Sequence, residues 1–475
     1  MKKILLRNLP KVDIILKNKE IEKIGKSVDY YTFLSCIKKS INNMREEILK
    51  SEDEEKLKLL NENLEENIIK NILSLVEKEK RKKIQRVFNG SGTILHTNLG
   101  RSVFSKKIGE KIGEILSSYN NLEYDIEEGK RGSRYKNLEN LINQVVGSES
   151  ALVVNNNAGA VLLCLNEFSK DKNAIISRGE LVEIGGSFRV PEIIKFSGAK
   201  LLEIGATNIT HLEDYEKNID DETGVLLKVH TSNYKIKGFT ENVNLKDLVK
   251  LGREKNKLVI EDIGSGNLIE FSKYGIVSEP TVMKSLEAGV DLVTFSGDKL
   301  LGGCQAGIIA GKKVLIDRLK KNQFLRAIRV DKITIALLEE LFTAYLDERE
   351  AVKNIPTLRM ITEKVEDVKE RAIKLSNLLI EKEIQNKIIK TKATIGGGSM
   401  PDEEIESFGI EFIFNKKVSP NKLEEYFRKN KIAIIGRIEN NRYFLDMKTI
   451  FLDDIDELAE NIKEIFLRRG ILWKI

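Results

Sequence analysis

The stretch Asp291-Leu-Val-Thr-Phe-Ser-Gly-Asp-Lys-Leu-Leu-Gly-Gly-Cys-Gln-Ala-Gly307 decides how this chain is read. Asp291 to Phe295 is mostly apolar, carries a β-branched and an aromatic residue, and is halted by Ser296-Gly297. That is the pattern of a short buried strand. Lys299 follows directly, with glycines at 302, 303 and 307. A lysine carried by a strand end into a Gly-rich turn suits Schiff-base chemistry. The amine must reach a bound aldehyde, and small residues let a ligand approach the backbone. A solvated lysine after a strand has the same local pattern, so the neighbouring stretches decide.

Lys257-Leu-Val-Ile-Glu-Asp262 is a second apolar strand; it ends in Asp262 and turns through Ile263-Gly-Ser-Gly266. Pyridoxal phosphate (PLP) acts as an electron sink while its ring nitrogen is protonated, and an aspartate at a strand end can hold that proton. Ala151-Leu-Val-Val154 reads as a third strand, followed by Asn155, Asn156 and Asn157 and an apolar helix from Ala158 to Leu165. The N–H groups of a helix start bind phosphate readily. Phosphate turn, aspartate strand and lysine strand, in that order, are the arrangement of PLP enzymes of the aspartate-aminotransferase fold. Lys299 is then the Schiff-base lysine and later the acid/base at the substrate Cα, and Asp262 the pyridinium partner. Ser296 either contacts phosphate or closes its turn. Asn233 or Ser232 is placed to bond the cofactor's 3-oxygen. His230 faces the ring or is a satisfied core histidine. Arg326 and Arg329 share a face if their segment is helical, and suit a small phosphate-bearing molecule or surface ion pairs.

Longer stretches carry a family resemblance: Asn89-Gly-Ser-Gly-Thr-Ile-Leu-His-Thr-Asn-Leu-Gly-Arg101, Asn121-Leu-Glu-Tyr-Asp125, Gly129-Lys-Arg-Gly-Ser-Arg-Tyr135, Val153-Val-Asn-Asn-Asn157, Arg178-Gly-Glu-Leu-Val-Glu-Ile-Gly-Gly-Ser-Phe-Arg189, Lys228-Val-His-Thr-Ser-Asn-Tyr234 and Thr294-Phe-Ser-Gly-Asp-Lys299. With the opening Leu6-Arg-Asn-Leu-Pro-Lys-Val-Asp13, the chain resembles the bacterial selenocysteine synthases, the L-seryl-tRNA(Sec) selenium transferases, over nearly its whole length. Two positions depart from that pattern. Cys304 stands where proline is usual, and Gly205 to His211 lacks an arginine expected near Ile209. The resemblance implies a PLP-dependent β-replacement on an aminoacyl-tRNA. Seryl-tRNA(Sec) loses water to give an aminoacrylyl intermediate, and selenium from selenophosphate adds at Cβ. It also implies that Asp298, Arg101, Arg326 and Arg329 form the selenium-donor site. Arg131 and Arg134 are expected to reach a neighbouring subunit's cofactor phosphate, in a homo-oligomer with dimer-built active sites, a decameric ring.

At 475 residues with 41% hydrophobic content, the chain fits an ordinary globular protein of two or three domains. We expect a helical, tRNA-contacting region over 1–83, a PLP-binding α/β large domain with a mostly parallel sheet over 84–350, and a small α+β domain over 351–475. Strands are expected at Ala151–Val154, Ala174–Ser177, Lys200–Ile204, Val225–Val229, Leu258–Glu261 and Leu292–Phe295. The net charge of +6 lies in the first 90 residues, where 21 Lys/Arg face 15 Asp/Glu. Basic runs such as Lys78-Glu-Lys-Arg-Lys-Lys83 are solvated helix faces or, given the resemblance, phosphate contacts. Cys36, Cys164 and Cys304 lack metal or disulfide spacing, and no apolar run reaches transmembrane length, so a reducing cytoplasm is expected and no metal. A related PLP lyase or aminotransferase acting on a free amino acid or sugar acid is the alternative. The basic amino-terminal region and Arg326/Arg329 argue against it. A tRNA-binding protein with a dead catalytic centre is a third reading, opposed by the intact Lys299 and Asp262.

Overall fold

The computed structural model describes residues 1–80, 83–184, 188–234, 236–277, 279–400, 403–414 and 418–469. Arg81 and Lys82 of the basic run, residues 185–187 of the Arg178–Arg189 stretch, and Pro401 lie outside the described residues. The chain forms two compact units, Met1–Arg86 and Val87–Ile475.

The first unit is helical throughout, as its apolar spacing predicts. Its longest helices are Tyr30–Lys50 and Leu64–Lys80. Asp29 starts the former, its carboxylate accepting from the Thr32 amide at 2.9 Å. Glu54 and Glu55 sit in the first turn of Glu54–Glu62, where carboxylates meet the positive dipole end. Leu5, Ile37, Ile68, Ile72 and Val76 are fully buried in a core drawn from this unit alone.

The second unit is built on a seven-stranded sheet. Its strands are β1 (Ser150–Val154), β2 (Asn173–Ser177), β3 (Lys200–Ile204), β4 (Thr223–Val229), β5 (Leu258–Gly264), β6 (Leu292–Ser296) and β7 (Gly307–Gly311). The order across the sheet is β1-β7-β6-β5-β4-β2-β3. All neighbours are parallel except β7, which runs antiparallel between β6 and β1. Continuous apolar runs form these strands because both faces are covered. Val259, Val293 and Phe295 join the core on one face; Ile260, Leu292 and Ile309 join that on the other.

Six of the seven strands fall where the sequence places them. The seventh, β7, begins at Gly307, which reads in sequence as part of the Gly-rich turn. Here the glycine admits a close backbone approach: a Cβ on it would lie 2.8 Å from Asn157 N.

Towards the carboxyl terminus, four strands pair as a separate antiparallel sheet: β8 (Asn386–Thr394), β9 (Glu404–Phe412), β10 (Arg437–Glu439) and β11 (Arg442–Asp446), in the order β8-β9-β11-β10. Ser419 Oγ accepts from Lys422 N at 3.2 Å and caps Pro420–Arg428, as the Ser-Pro pair predicts. Sequence periodicity did not single out β8 and β9, whose exposed lysines and glutamates mask the alternation. A short strand, Ala433–Ile435, pairs in parallel with Val87–Asn89, so the start of this unit is woven into its carboxyl-terminal layer.

Replacing Gly307 by Ala should force β7 away from the Asn156–Asn157 turn. A thermal melt should register an overpacking loss of about 1–3 kcal/mol, with weakened cofactor binding in the same variant.

Candidate active site

Strands β4, β5 and β6 end together at the carboxyl edge of the sheet, where ligands of open α/β folds gather. Lys299 and Asp262 are brought together there, 6% and 3% exposed. Desolvation holds the Lys299 amine below the ordinary lysine range, opposed by Asp262 and Asp298 and reinforced by Arg101. Burial raises the Asp262 carboxyl, opposed by Asn157, Lys299 and Thr294. Asp262 Oδ1 accepts from Asn157 Nδ2 at 2.7 Å and from Thr294 Oγ1 at 3.3 Å. Thr294 lies opposite Asp262 in the β5–β6 register. No sequence pattern announces this contact, because it depends on strand pairing.

Gly264 follows with φ +67°, and a Cβ there would stand 3.8 Å from Ser232 Oγ and 3.9 Å from both Asp262 Oδ1 and Lys299 Nζ. Its missing side chain leaves a cradle facing an amine, a carboxylate and a hydroxyl. Ser232 Oγ, Asn157 Oδ1 and Asn233 Oδ1 are buried without hydrogen-bond partners among the described residues.

The helix Asn157–Phe168 starts beside the cradle. Asn156 caps it, Oδ1 accepting from Gly159 N at 2.8 Å, and its first amides remain for an anion. Asn155 is exposed; its amide donates to Ile328 O at 2.9 Å. Of the three asparagines, Asn157 thus turns its side chain to Asp262 and Asn156 to its own helix. Ser296 closes β6, and Asn233 Nδ2 donates to Glu183 O at 2.9 Å. The His230 amide donates to Asp262 O at 2.8 Å, and its Nε2 lies 3.9 Å from Glu279 Oε2, a carboxylate the sequence reading did not single out.

Two groups of charges flank the cradle. Arg101, in left-handed backbone at φ 59°, donates from Nη1 to Asp298 Oδ2 at 2.7 Å. The second gathers on Glu123: Arg134 donates to it from Nε at 2.8 Å, Arg131 from Nη2 at 3.3 Å, and Arg329 Nη1 lies 3.8 Å away. These arginines hold the Glu123 carboxyl below its usual range, Arg134 foremost. Arg134 Nη1 also donates to Val330 O at 2.8 Å. Arg326 ends the short helix Gln323–Arg326, while Arg329 pairs across to Val154, so the two do not share a helical face.

The residues fit PLP. Asp262 is a buried carboxylate raised by desolvation that a pyridinium would discharge, Lys299 an amine at cradle distance, and the helix start an anion site. Among the described residues no group of His, Cys, Asp or Glu could hold a metal, and no helix is long and apolar enough to cross a membrane.

The fold and this lysine–aspartate pair define an enzyme of the PLP-dependent aminotransferase type. A solved D-glucosaminate-6-phosphate ammonia-lyase shares the fold at TM-score 0.57 and 16% identity, over 82% of this chain and 97% of that one. Residues 87–451 match the SelA family, L-seryl-tRNA selenium transferase, and the chain belongs to it. It is similar to an "L-seryl-tRNA(Sec) selenium transferase" of Clostridium botulinum (strain Loch Maree / Type A3), 48% identical over 98% of this chain and 99% of the relative. A protein of the same description from Clostridium perfringens (strain 13 / Type A) is 48% identical over the same shares.

In cofactor-free protein, Lys299 should titrate below 10.5. Asp298→Asn should lower the midpoint further, since that carboxylate raises it, and Arg101→Ala should raise it. The pH dependence of Lys299 acylation, followed by mass spectrometry, checks the order. Because the unfolded chain binds the proton more tightly, Lys299 should make the cofactor-free fold more stable as pH rises from its folded midpoint towards 10.5.

Proposed function

We propose that the chain converts L-seryl-tRNA(Sec) to L-selenocysteinyl-tRNA(Sec), with PLP as cofactor and selenophosphate as selenium donor. The near full-length 48% identity to proteins of that activity carries the reading; the Lys299–Asp262 cradle supplies its chemistry. When bound, PLP supplies an aldehyde for amines and a ring that accepts the electron pair left at a deprotonated carbon. Lys299 would hold it at the aldehyde, Asp262 would keep the ring nitrogen protonated, and Asn157 and Thr294 would fix the Asp262 carboxylate. Ser232 and the first turn of Asn157–Phe168 would bind its oxygens.

Desolvation favours the neutral form of Lys299, which suits an amine that takes the proton from the seryl Cα. The Cβ–O bond breaks and the hydroxyl leaves as water with the proton that Lys299 took from Cα; a carbon–selenium bond then forms at Cβ, the donor's phosphorus–selenium bond is hydrolysed, and phosphate leaves. The Arg101–Asp298 pair stands beside Lys299, with a guanidinium able to bind a phosphate oxygen of the donor. Arg329, bridged to Val154 beside the Asn155 turn, and Arg326 would be further anion contacts. Arg131 and Arg134 would serve a partner subunit's site by releasing Glu123, in a cytoplasmic homo-oligomer. The basic unit Met1–Arg86, with its own core, would bind tRNA phosphates.

Borohydride should fix PLP to the wild type at Lys299 and leave Lys299→Ala unlabelled. Asp262→Asn should lower selenium transfer from selenophosphate to seryl-tRNA(Sec) on the order of 10²-fold, with a much smaller loss of cofactor affinity. Turnover close to wild type in that variant would refute the role of Asp262. A chain beginning at Val87 should keep the visible absorbance of bound PLP and lose salt-sensitive tRNA binding, whose log–log salt slope is about −0.9 or shallower per phosphate contact. Equal affinity and slope with and without Met1–Arg86 would move the tRNA contacts to the larger unit.

A further inference from the structure

A cavity of about 370 Å³ opens at the carboxyl edge of the sheet. Consecutive strand residues face opposite sides, so Asp262 points to the PLP cradle and Glu261 into this cavity. The segment after β4 is divided in the same way: Ser232 stands at the cradle, while His230 and Thr231 line the cavity. The two spaces are therefore neighbours across one layer of backbone.

Glu261 is 5% exposed, and its Oε2 has no hydrogen-bond partner among the described residues. Burial pushes its carboxyl up to about 6, with Ser285 and Lys228 pulling the other way, so at neutral pH it is an ionised acceptor. The neighbouring Glu180 is already engaged, accepting from Lys228 Nζ at 2.6 Å and Val229 N at 2.9 Å. The walls include Tyr234, Ile236, Leu245 and Pro280, and exposed Lys246 and Lys284 line the rim. Lys284 is engaged by Glu270. The occupant that suits this space is flat, carries a hydrogen-bond donor at its inner end and a negative charge near the rim. A sugar acid or free carboxylate entering it would meet Glu261 with like charge.

We propose that the cavity receives the 3′-terminal adenine of the aminoacyl-tRNA, its exocyclic amino group donating to Glu261 and the adjoining phosphate facing Lys246. This rests on seryl-tRNA as substrate, in which the terminal nucleotide is joined directly to the reacting serine. A base held here anchors the ester-linked amino acid at Lys299 through binding energy remote from the reacting carbon. Carboxylates read exocyclic amino groups in this way on nucleic-acid bases.

The test compares two trinucleotides, CCA and the same sequence ending in purine riboside, which lacks the amino group. Binding to the PLP-loaded, full-length protein is measured by calorimetry. Wild type should prefer CCA by on the order of tenfold, and Glu261→Gln should shrink that preference severalfold. Lys246→Ala, at an exposed position, should weaken both trinucleotides equally and flatten the salt dependence. Equal affinity of wild type for the two trinucleotides overturns the proposal, as does an undiminished preference in Glu261→Gln; if that variant does not fold, the wild-type comparison and Lys246→Ala decide. Selenium transfer to seryl-tRNA(Sec) is scored separately. An active enzyme without the preference loses the cavity assignment alone, and a preference without transfer loses the substrate reading alone.

Discussion

Two opposite charges are taken out of water at one edge of a sheet, and most of the second unit serves to keep them there. Two ionisable groups buried this deeply gain little net stability from each other, because desolvation offsets their attraction. Lys299 and Asp262 are both displaced towards their neutral forms, and burial is the first cause in each case. The energy that holds them comes from elsewhere, from fully buried side chains such as Val293, Phe295 and Ile308 on the strands that carry the site. The strain of the site and the continuous apolar strands are thus two sides of one arrangement.

This explains how much could be read from the chain alone. Asp262 is visible because an ionisable residue in an apolar run breaks the local rule of its strand, and Lys299 because it follows such a run within a Gly-rich turn. The parallel sheet is visible for the same reason. Thr294, Glu279 and Glu123 were not assigned roles, because they act through register and loop packing between segments far apart in sequence. β7 was hidden by its glycine, which in sequence signals a turn and in the fold admits a neighbouring backbone. β8 and β9 were hidden by charged residues on a partly exposed face, where alternation is blurred. The basic run from Lys78 to Lys83 reads as a solvated helix face or phosphate contacts, and the helix Leu64–Lys80 runs into it.

Glu123 shows how a carboxylate can hold several guanidiniums in waiting. Arg131, Arg134 and Arg329 all lie within 4 Å of it, and Arg134 is bound at three of its nitrogens. A phosphate reaching these groups, as proposed, would have to displace Glu123, which a multiply charged anion does more readily than a single carboxylate.

The antiparallel turn from β6 to β7 has a kinetic meaning. Because the two strands pair along their length, residues 297–306 form a loop closed at its base, by Gly297 N to Ala306 O at 2.9 Å. Inside it Gly303 N reaches Gly297 O at 2.8 Å, Leu300 N reaches Ser265 O at 2.9 Å, and Tyr345 donates to Leu301 O at 2.9 Å. The backbone beneath Lys299 is pinned on every side. Its amine therefore moves through the four torsions of its own side chain. If Lys299 holds the cofactor as proposed, its arrival and departure are rotamer changes on a fixed backbone.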